Sequence, residues 1–176
     1  MALRDLRIFP DPLLRERCRK IEDVDDEVIQ LLDDLAESMY ANKGLGLAAP
    51  QIGAALRAVV VDVEQRDGIP RLVELVNPEV IESSNELSDF EEGCLSFPGE
   101  AEKVIRPAKV TVRALDRDGK LIEVKTDGLL ATAIQHEIDH LDGVLFIDHV
   151  SRLKRSLVKR RMKKKARPTV TVGDRC

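Results

Sequence analysis

Gly128–Leu141 reads as a helix that is apolar over most of its circumference, through Leu129, Leu130, Ala133, Ile134, Ile138 and Leu141. Such a helix has to be buried, so the rest of the chain must be built around it. Gly143 marks its C-terminal stop. Inside it, Gln135-His136-Glu137-Ile138-Asp139-His140 sets two histidines four residues apart. That spacing puts both imidazoles on one face, a turn apart, within reach of a single metal ion. Glu137 can then take a proton from a water on the ion. Two solvated histidines on a surface helix would give the same short pattern. The chain has only 3 histidines, two of them here on a helix that must be buried, which favours the metal reading. His149 has no partner close in sequence and reads as structural.

The remaining pattern predicts an α+β fold. Antiparallel or mixed short-stranded sheets pack around the buried metal-binding helix, with one helix N-terminal and one C-terminal to them. Residues 3–23 read as irregular, because Phe9-Pro10-Asp11-Pro12 forbids a helix there. A helix is expected from Asp25 or Asp26, with Val28, Leu31, Leu32, Leu35 and Met39 as its core stripe and Gly44 as terminator. Strands are expected at 58–63, at 72–76 and 79–82 on either side of an Asn77-Pro78 turn, and at 109–115 and 121–124 around an Asp118-Gly119 hairpin. Residues 91–99 break the pattern, and no βαβ rhythm appears. Ser151 is expected to cap a basic helix over 151–167 that Pro168 ends. Residues 1–168 are read as one domain and 169–176 as a disordered tail. With 176 residues and 43% hydrophobic content, the chain buries a core without a metal to replace it, which turns the histidine pair toward chemistry.

No apolar run approaches a membrane span of about 20 residues, and Met1-Ala2-Leu3-Arg4-Asp5 lacks a signal-peptide core. Cys18, Cys94 and Cys176 form no disulfide framework. A cytoplasmic protein is expected, with no membrane partner. At 3% aromatic residues, base-stacking platforms are not expected, nor is DNA a partner. Charge is unevenly placed: residues 152–176 hold 11 Lys+Arg and one acid, a net of +10, against −14 for the rest. A basic tail on an acidic body points to an anionic partner, while a solvated helix gives the same composition.

Two histidines need a third ligand. Asp139 and Asp142 share their helix, but Asp139 points about 300° round from His136 and reaches poorly. Cys94 stands in the Gly-flanked, Pro-ended stretch Gly93-Cys94-Leu95-Ser96-Phe97-Pro98. It is either a ligand or a small buried residue, since cysteine is often simply buried. Gly44-Leu45-Gly46-Leu47-Ala48-Ala49-Pro50-Gln51 is rich in small residues, which lets a ligand or another chain segment approach the backbone. A helix-to-strand turn explains it equally well.

Taken together and in order, 44–51, Glu92-Gly93-Cys94-Leu95-Ser96 and 135–143 resemble the three signatures of the peptide deformylase family. Ile8-Phe9-Pro10-Asp11, Val76-Asn77-Pro78, Ala114-Leu115-Asp116-Arg117-Asp118-Gly119 and Asp127-Gly128-Leu129-Leu130-Ala131 carry the likeness across most of the chain to about Lys154. The resemblance implies a bacterial, cytoplasmic, metal-dependent amide hydrolase that removes the formyl group from the formyl-methionine of nascent polypeptides. It implies Cys94, His136 and His140 as ligands of one divalent ion, Fe(II) in the cell, with Zn, Ni or Co able to take its place. It implies a metal-bound hydroxide as nucleophile, with Glu137 as general base and acid. Gln51 and the Leu95 N–H would stabilise the oxyanion, and Leu45, Gly46, Gly93, Leu129, Thr132 and Ala133 would bind substrate. Gln135 and Glu92 would orient the ligands, and the basic helix would dock on the ribosome.

Two departures bear on specificity. Many members carry an Arg soon after the Cys motif, whereas here Phe97-Pro98-Gly99-Glu100-Ala101-Glu102 has none and Arg106 comes later. Thr132 stands where many have a larger apolar residue or Arg. Two other functions fit the histidine helix: a metallopeptidase cutting internal bonds with Cys94 idle, and an RNA-binding module with a structural metal. A closed structural site needs four protein ligands, and three are convincing here.

Overall fold

A computed structural model describes residues 3–64 and 71–166. Three helices and seven strands run in the order α1 (Asp26–Ala41), β1 (Gly46–Ala48), β2 (Ala58–Val61), β3 (Val73–Ser83), β4 (Leu87–Gly93), β5 (Ala101–Pro107), β6 (Lys109–Leu115), β7 (Leu121–Asp127), α2 (Gly128–Leu141) and α3 (Arg152–Ala166). The five-stranded sheet has the order β1-β2-β3-β6-β7, and β4-β5 form a separate pair. Every pairing between these strands is antiparallel. The expected Pro168 stop and the 169–176 tail lie outside the described residues.

The larger sheet is covered on both faces. Val59 and Val61 of β2 join Ala48, Leu75 and Val112 against Ala131, Ile134, Ile138 and Leu141 of α2. The alternate residues Ala58 and Val60 join Leu47 and Val76 against Val28, Leu32, Leu35 and Met39 of α1. Burial on both sides explains why β2 reads as an unbroken apolar run. A third cluster, Phe9, Leu14, Phe97, Val104, Phe146, Val158 and Met162, seats α3 beside β5. Asp25 caps α1 by accepting from the Val28 N–H at 3.0 Å, and Ser151 Oγ accepts from Lys154 N–H at 3.3 Å at the start of α3.

Four local expectations are corrected. Asn77-Pro78 is not a turn between two strands but a bulge within the single strand β3, where the register shifts between Val76 and Glu79. Asn77 takes φ +52 and exchanges two 2.8 Å hydrogen bonds with the Ile21 backbone, so the side chain holds the kink. At the end of α1 the left-handed residue is Lys43, φ +56. Gly44 serves another need, since a Cβ there would meet Leu95 Cδ1 at 2.7 Å. Pro12–Arg15 forms a short 3-10 turn in the stretch expected to be irregular, with the Asp11 side chain accepting from Leu13 N–H at 2.9 Å. The β4-β5 hairpin was not anticipated. Its inward positions include Ser88, Glu92, Glu102 and Arg106, so the apolar alternation that announces a strand is absent.

Candidate metal centre

Cys94, His136 and His140 meet. One donor atom from each lies within 4.8 Å of the others, and Cys94 Sγ is 3.3 Å from His140 Nε2. The histidines are held by the burial of α2. Cys94 directly follows β4, and its carbonyl accepts from Phe97 N–H at 2.8 Å in a tight turn. The same strand orients a histidine: Glu92 Oε2 lies 2.9 Å from His136 Nδ1, which leaves Nε2 for the cluster. Glu92 is paired bidentately with Arg106, at 2.6 and 3.0 Å. Arg106 continues to Asp139 at 2.8 Å, and Asp139 to His149 Nε2 at 2.7 Å.

This network settles several expectations. Asp139 is committed to Arg106 and His149, in keeping with its poor reach toward the ligands. Arg106 is buried and braces Glu92, so it is not a free arginine for the pocket. Glu92 touches a ligand as expected, whereas Gln135 does not. Its amide donates to the Pro107 and Ala131 carbonyls at 3.1 and 3.0 Å, tying α2 to the end of β5. Ser96 and Arg106 had no role in the sequence reading. A serine two residues after the cysteine was the only hint of the first, and the second was noted only as a late arginine.

The buried groups around the cluster titrate in opposite directions. Burial works to raise Glu92, but hydrogen bonds from His136 and Arg106 outweigh it and bring its carboxyl down to about 2. Burial holds His140 neutral, well below the usual histidine range. For His136 burial acts the same way, yet contacts with Cys94 and Glu92 dominate and favour a positive charge there. A divalent ion supplies that charge without a proton. One thiolate and two imidazoles form an open three-donor set, as catalytic sites use. The donors therefore fit a catalytic metal.

Glu137 is packed for chemistry and not for structure. Its Oε2 is buried and, among the described residues, has no hydrogen-bond partner. Burial pushes its carboxyl up to about 7, and a cation beside it would draw that value back down. Oε1 lies against Gly46, where a Cβ would sit 2.5 Å away. What approaches the small-residue run is thus the chain's own side chains, Leu95 at Gly44 and Glu137 at Gly46. Gln51 is buried too. Its Oε1 accepts from Ala48 N–H at 2.9 Å, which turns its amide toward Ser96 Oγ at 3.2 Å and Cys94 Sγ at 3.5 Å. A cavity of about 620 Å³ opens over these groups, lined by Leu45, Gly46, Gln51, Gly93, Cys94, Leu95, Leu129, Thr132, Ala133, His136 and Glu137.

The family model for polypeptide deformylase matches residues 3–156. The chain belongs to the polypeptide deformylase family. Among relatives of that family, the peptide deformylase of Agrobacterium fabrum is 50% identical over 170 residues, 97% of this chain and 100% of its own length. That of Methylocella silvestris is 51% identical, over 95% of this chain and 87% of its own. The crystal structure of the Legionella pneumophila peptide deformylase matches with TM-score 0.86 and 44% identity, covering 93% of this chain and 95% of that one. The Ehrlichia chaffeensis enzyme in complex with actinonin matches with TM-score 0.89 and 37% identity, covering 95% and 99%. As a deformylase, the chain is a metal-dependent hydrolase, and among the described residues Cys94, His136 and His140 are the group that could hold its metal. The α+β fold expected from sequence is the fold of these structures.

Proposed function

We propose that this chain removes the formyl group from the N-terminal formyl-methionine of nascent polypeptides, releasing formate, with Glu137 as the proton carrier. The observation that supports it most is the meeting of Cys94, His136 and His140 beneath a cavity that also holds the unpartnered carboxylate oxygen of Glu137. A divalent ion held by the three donors supplies Lewis acidity to the formyl oxygen and lowers the pKa of a neighbouring water. Fe(II) is the proposed ion in the cell, with Zn, Ni or Co in the purified protein, because sulfur and imidazole suit all of them.

Glu137 Oε2 accepts the proton of the attacking water and passes it to the departing amine. The Gln51 amide and the Leu95 N–H donate to the formyl oxygen as it becomes negative; removing one such donor costs about 10²–10³ in rate. Leu129, Thr132 and Ala133 hold the methionine side chain, with Leu45 at the rim. Backbone groups at Leu45, Gly46 and Gly93 pair with the extended peptide as an added strand, which tolerates most nascent sequences. No helix among the described residues is long and apolar enough to cross a membrane, and Cys18 and Cys94 are free thiols; both support a cytoplasmic setting. The outward face of α3 is proposed to dock on the ribosome.

The test is formate release from formyl-Met-Ala-Ser by anaerobically prepared protein, with metal content measured on the same sample. Near-stoichiometric metal with formate release is expected; metal without formate release would refute the assignment. Cys94→Ser is expected to lose the metal, whereas a peptidase with Cys94 idle would keep it.

A further inference from the structure

The loop after the cysteine motif is part of the cavity wall, and α3 holds it in place. Pro98, Gly99 and Glu100 line the cavity, beyond Cys94 and Leu95 in the chain. Glu100 is buried and takes two cations from α3. Arg161 Nε donates to its Oε2 at 2.7 Å, and Lys165 Nζ to its Oε1 at 2.9 Å. Lys165 also donates to the Pro98 carbonyl at 2.8 Å, and a Cβ on Gly99 would lie 3.2 Å from its ammonium. On the next inward position of β5, Glu102 meets Lys154 at 3.1 Å and Arg161 at 4.0 Å. These cations follow helical spacing with the buried Val158 and Met162, so they form the face of α3 that lies on the body.

The wall adjoins the strand expected to hold the peptide. Gly93 pairs with Ala101, the residue after Glu100, and a Cβ on Gly93 would touch the Glu100 carbonyl at 3.5 Å. This is the stretch where the arginine of many members is missing. Here it carries a buried acid whose charge α3 neutralises.

We propose that Glu100, Arg161 and Lys165 are positioning residues for substrate: the clamp fixes the Pro98–Gly99 wall and the Gly93 edge, and so governs binding of the residues after methionine without entering the chemistry. The proposal rests on the deformylase reading. A clamp of this kind predicts a change that depends on substrate length. It leaves the methionine pocket and the metal ligands alone, and shows in KM and not in kcat.

The experiment uses the full chain, with formyl-methioninamide and formyl-Met-Ala-Ser as substrates. Product affinity is measured separately by calorimetry with methioninamide and Met-Ala-Ser. In Glu100→Gln and in the Arg161→Gln/Lys165→Gln double variant, KM for the tripeptide is expected to rise about 5–20-fold, with kcat within twofold. Met-Ala-Ser affinity should fall by a similar factor, and both methioninamide measurements should stay within twofold. Arg161→Lys should recover most of the loss, and the triple variant should be no worse than the double, because all three act through one contact. A purely structural role would lower kcat and thermal stability for both substrates alike, and would overturn the proposal. Equal tripeptide KM and affinity in wild type and variants would overturn it as well. Absence of turnover in the wild type would instead refute the deformylase reading, and the calorimetric comparison would still decide the clamp.

Discussion

α2 and α3 have nearly the same length, 14 and 15 residues, and nearly opposite composition. α2 buries nine of its residues, among them Gln135, His136, Glu137 and His140. α3 buries only Val158 and Met162, and most of its other positions are Lys or Arg. On α2 most polar side chains are enclosed, so each of those needs a partner or a use. On α3 a cation is ordinary, and composition does not tell which ones face the protein. The structure makes that division. Lys154, Arg155, Arg161 and Lys165 are tied to the body, while Arg152, Arg160 and Lys163 lie on the opposite, exposed face.

The sharpest way to break this contrast is Glu137→Gln. If the buried carboxylate is there for proton transfer, kcat should fall by about 10²–10⁴ while metal content stays unchanged. Stability should not fall either. The Glu137 carboxyl is pushed up to about 7 from an ordinary 4.5, so its ionisation works increasingly against folding as pH rises from 4.5 to 7. In the metal-free protein the neutral amide escapes that penalty, and after chelation the variant's Tm at pH 7 should equal or exceed the wild type's. A lower Tm with near-normal turnover would make Glu137 a structural residue.

Glu92→Gln tests the opposite kind of buried acid. It breaks a buried pair and should destabilise by about 3–5 kcal/mol, with metal affinity down about 10–100-fold because His136 loses its orienting partner. The sign of the pH effect is set by the depression of Glu92 from 4.5 to about 2. Its stabilising contribution is complete above 4.5 and is lost as pH falls toward 2. Acid unfolding followed by circular dichroism should therefore be steeper between those limits in the wild type than in the variant. Parallel curves would show that the pair contributes nothing in net terms.

These two acids also mark how far the sequence could be read. Glu137 was legible because it stands beside a histidine within an apolar helix, where periodicity and chemistry coincide. The bounds of α2 followed from its apolar pattern, whereas the strand pattern left the sheet antiparallel or mixed and only the pairings make it antiparallel. Glu92 was noticed only through its motif, and Arg106, 14 residues on, was noted as a late arginine but not as its partner. The two meet across a hairpin whose inward positions are largely polar, so the buried ion pair removed the alternation that would have announced β4 and β5. Gly46 was visible as a small residue, but not as the space that Glu137 occupies. Gln135 misled because adjacency to a ligand on a helix does not mean a shared face: its amide turns to the Pro107 carbonyl.

A smaller effect separates the two described thiols. Burial pushes Cys18 up to about 11, which leaves almost no thiolate at neutral pH. After chelation, iodoacetamide at pH 7.5 should modify Cys94 and spare Cys18, as read by peptide mass spectrometry. Equal labelling would show that the arm holding Cys18 opens as readily as the metal centre.

The smallest effect on the enzyme itself belongs to the outward face of α3. Arg152→Gln, Arg160→Gln and Lys163→Gln remove exposed charges that do not line the cavity, so each should change stability by less than about 0.5 kcal/mol and kcat/KM on formyl-Met-Ala-Ser by less than twofold. If that face docks on ribosomal RNA, the salt dependence of ribosome binding, measured by co-sedimentation, should flatten by about one unit in slope per cation removed. The inward variants Arg161→Gln and Lys165→Gln should show the reverse pattern, altering peptide KM more than ribosome binding. Should both sets change ribosome binding equally, the two faces would not be distinct in use, and α3 would be the uniform basic helix that its composition suggests.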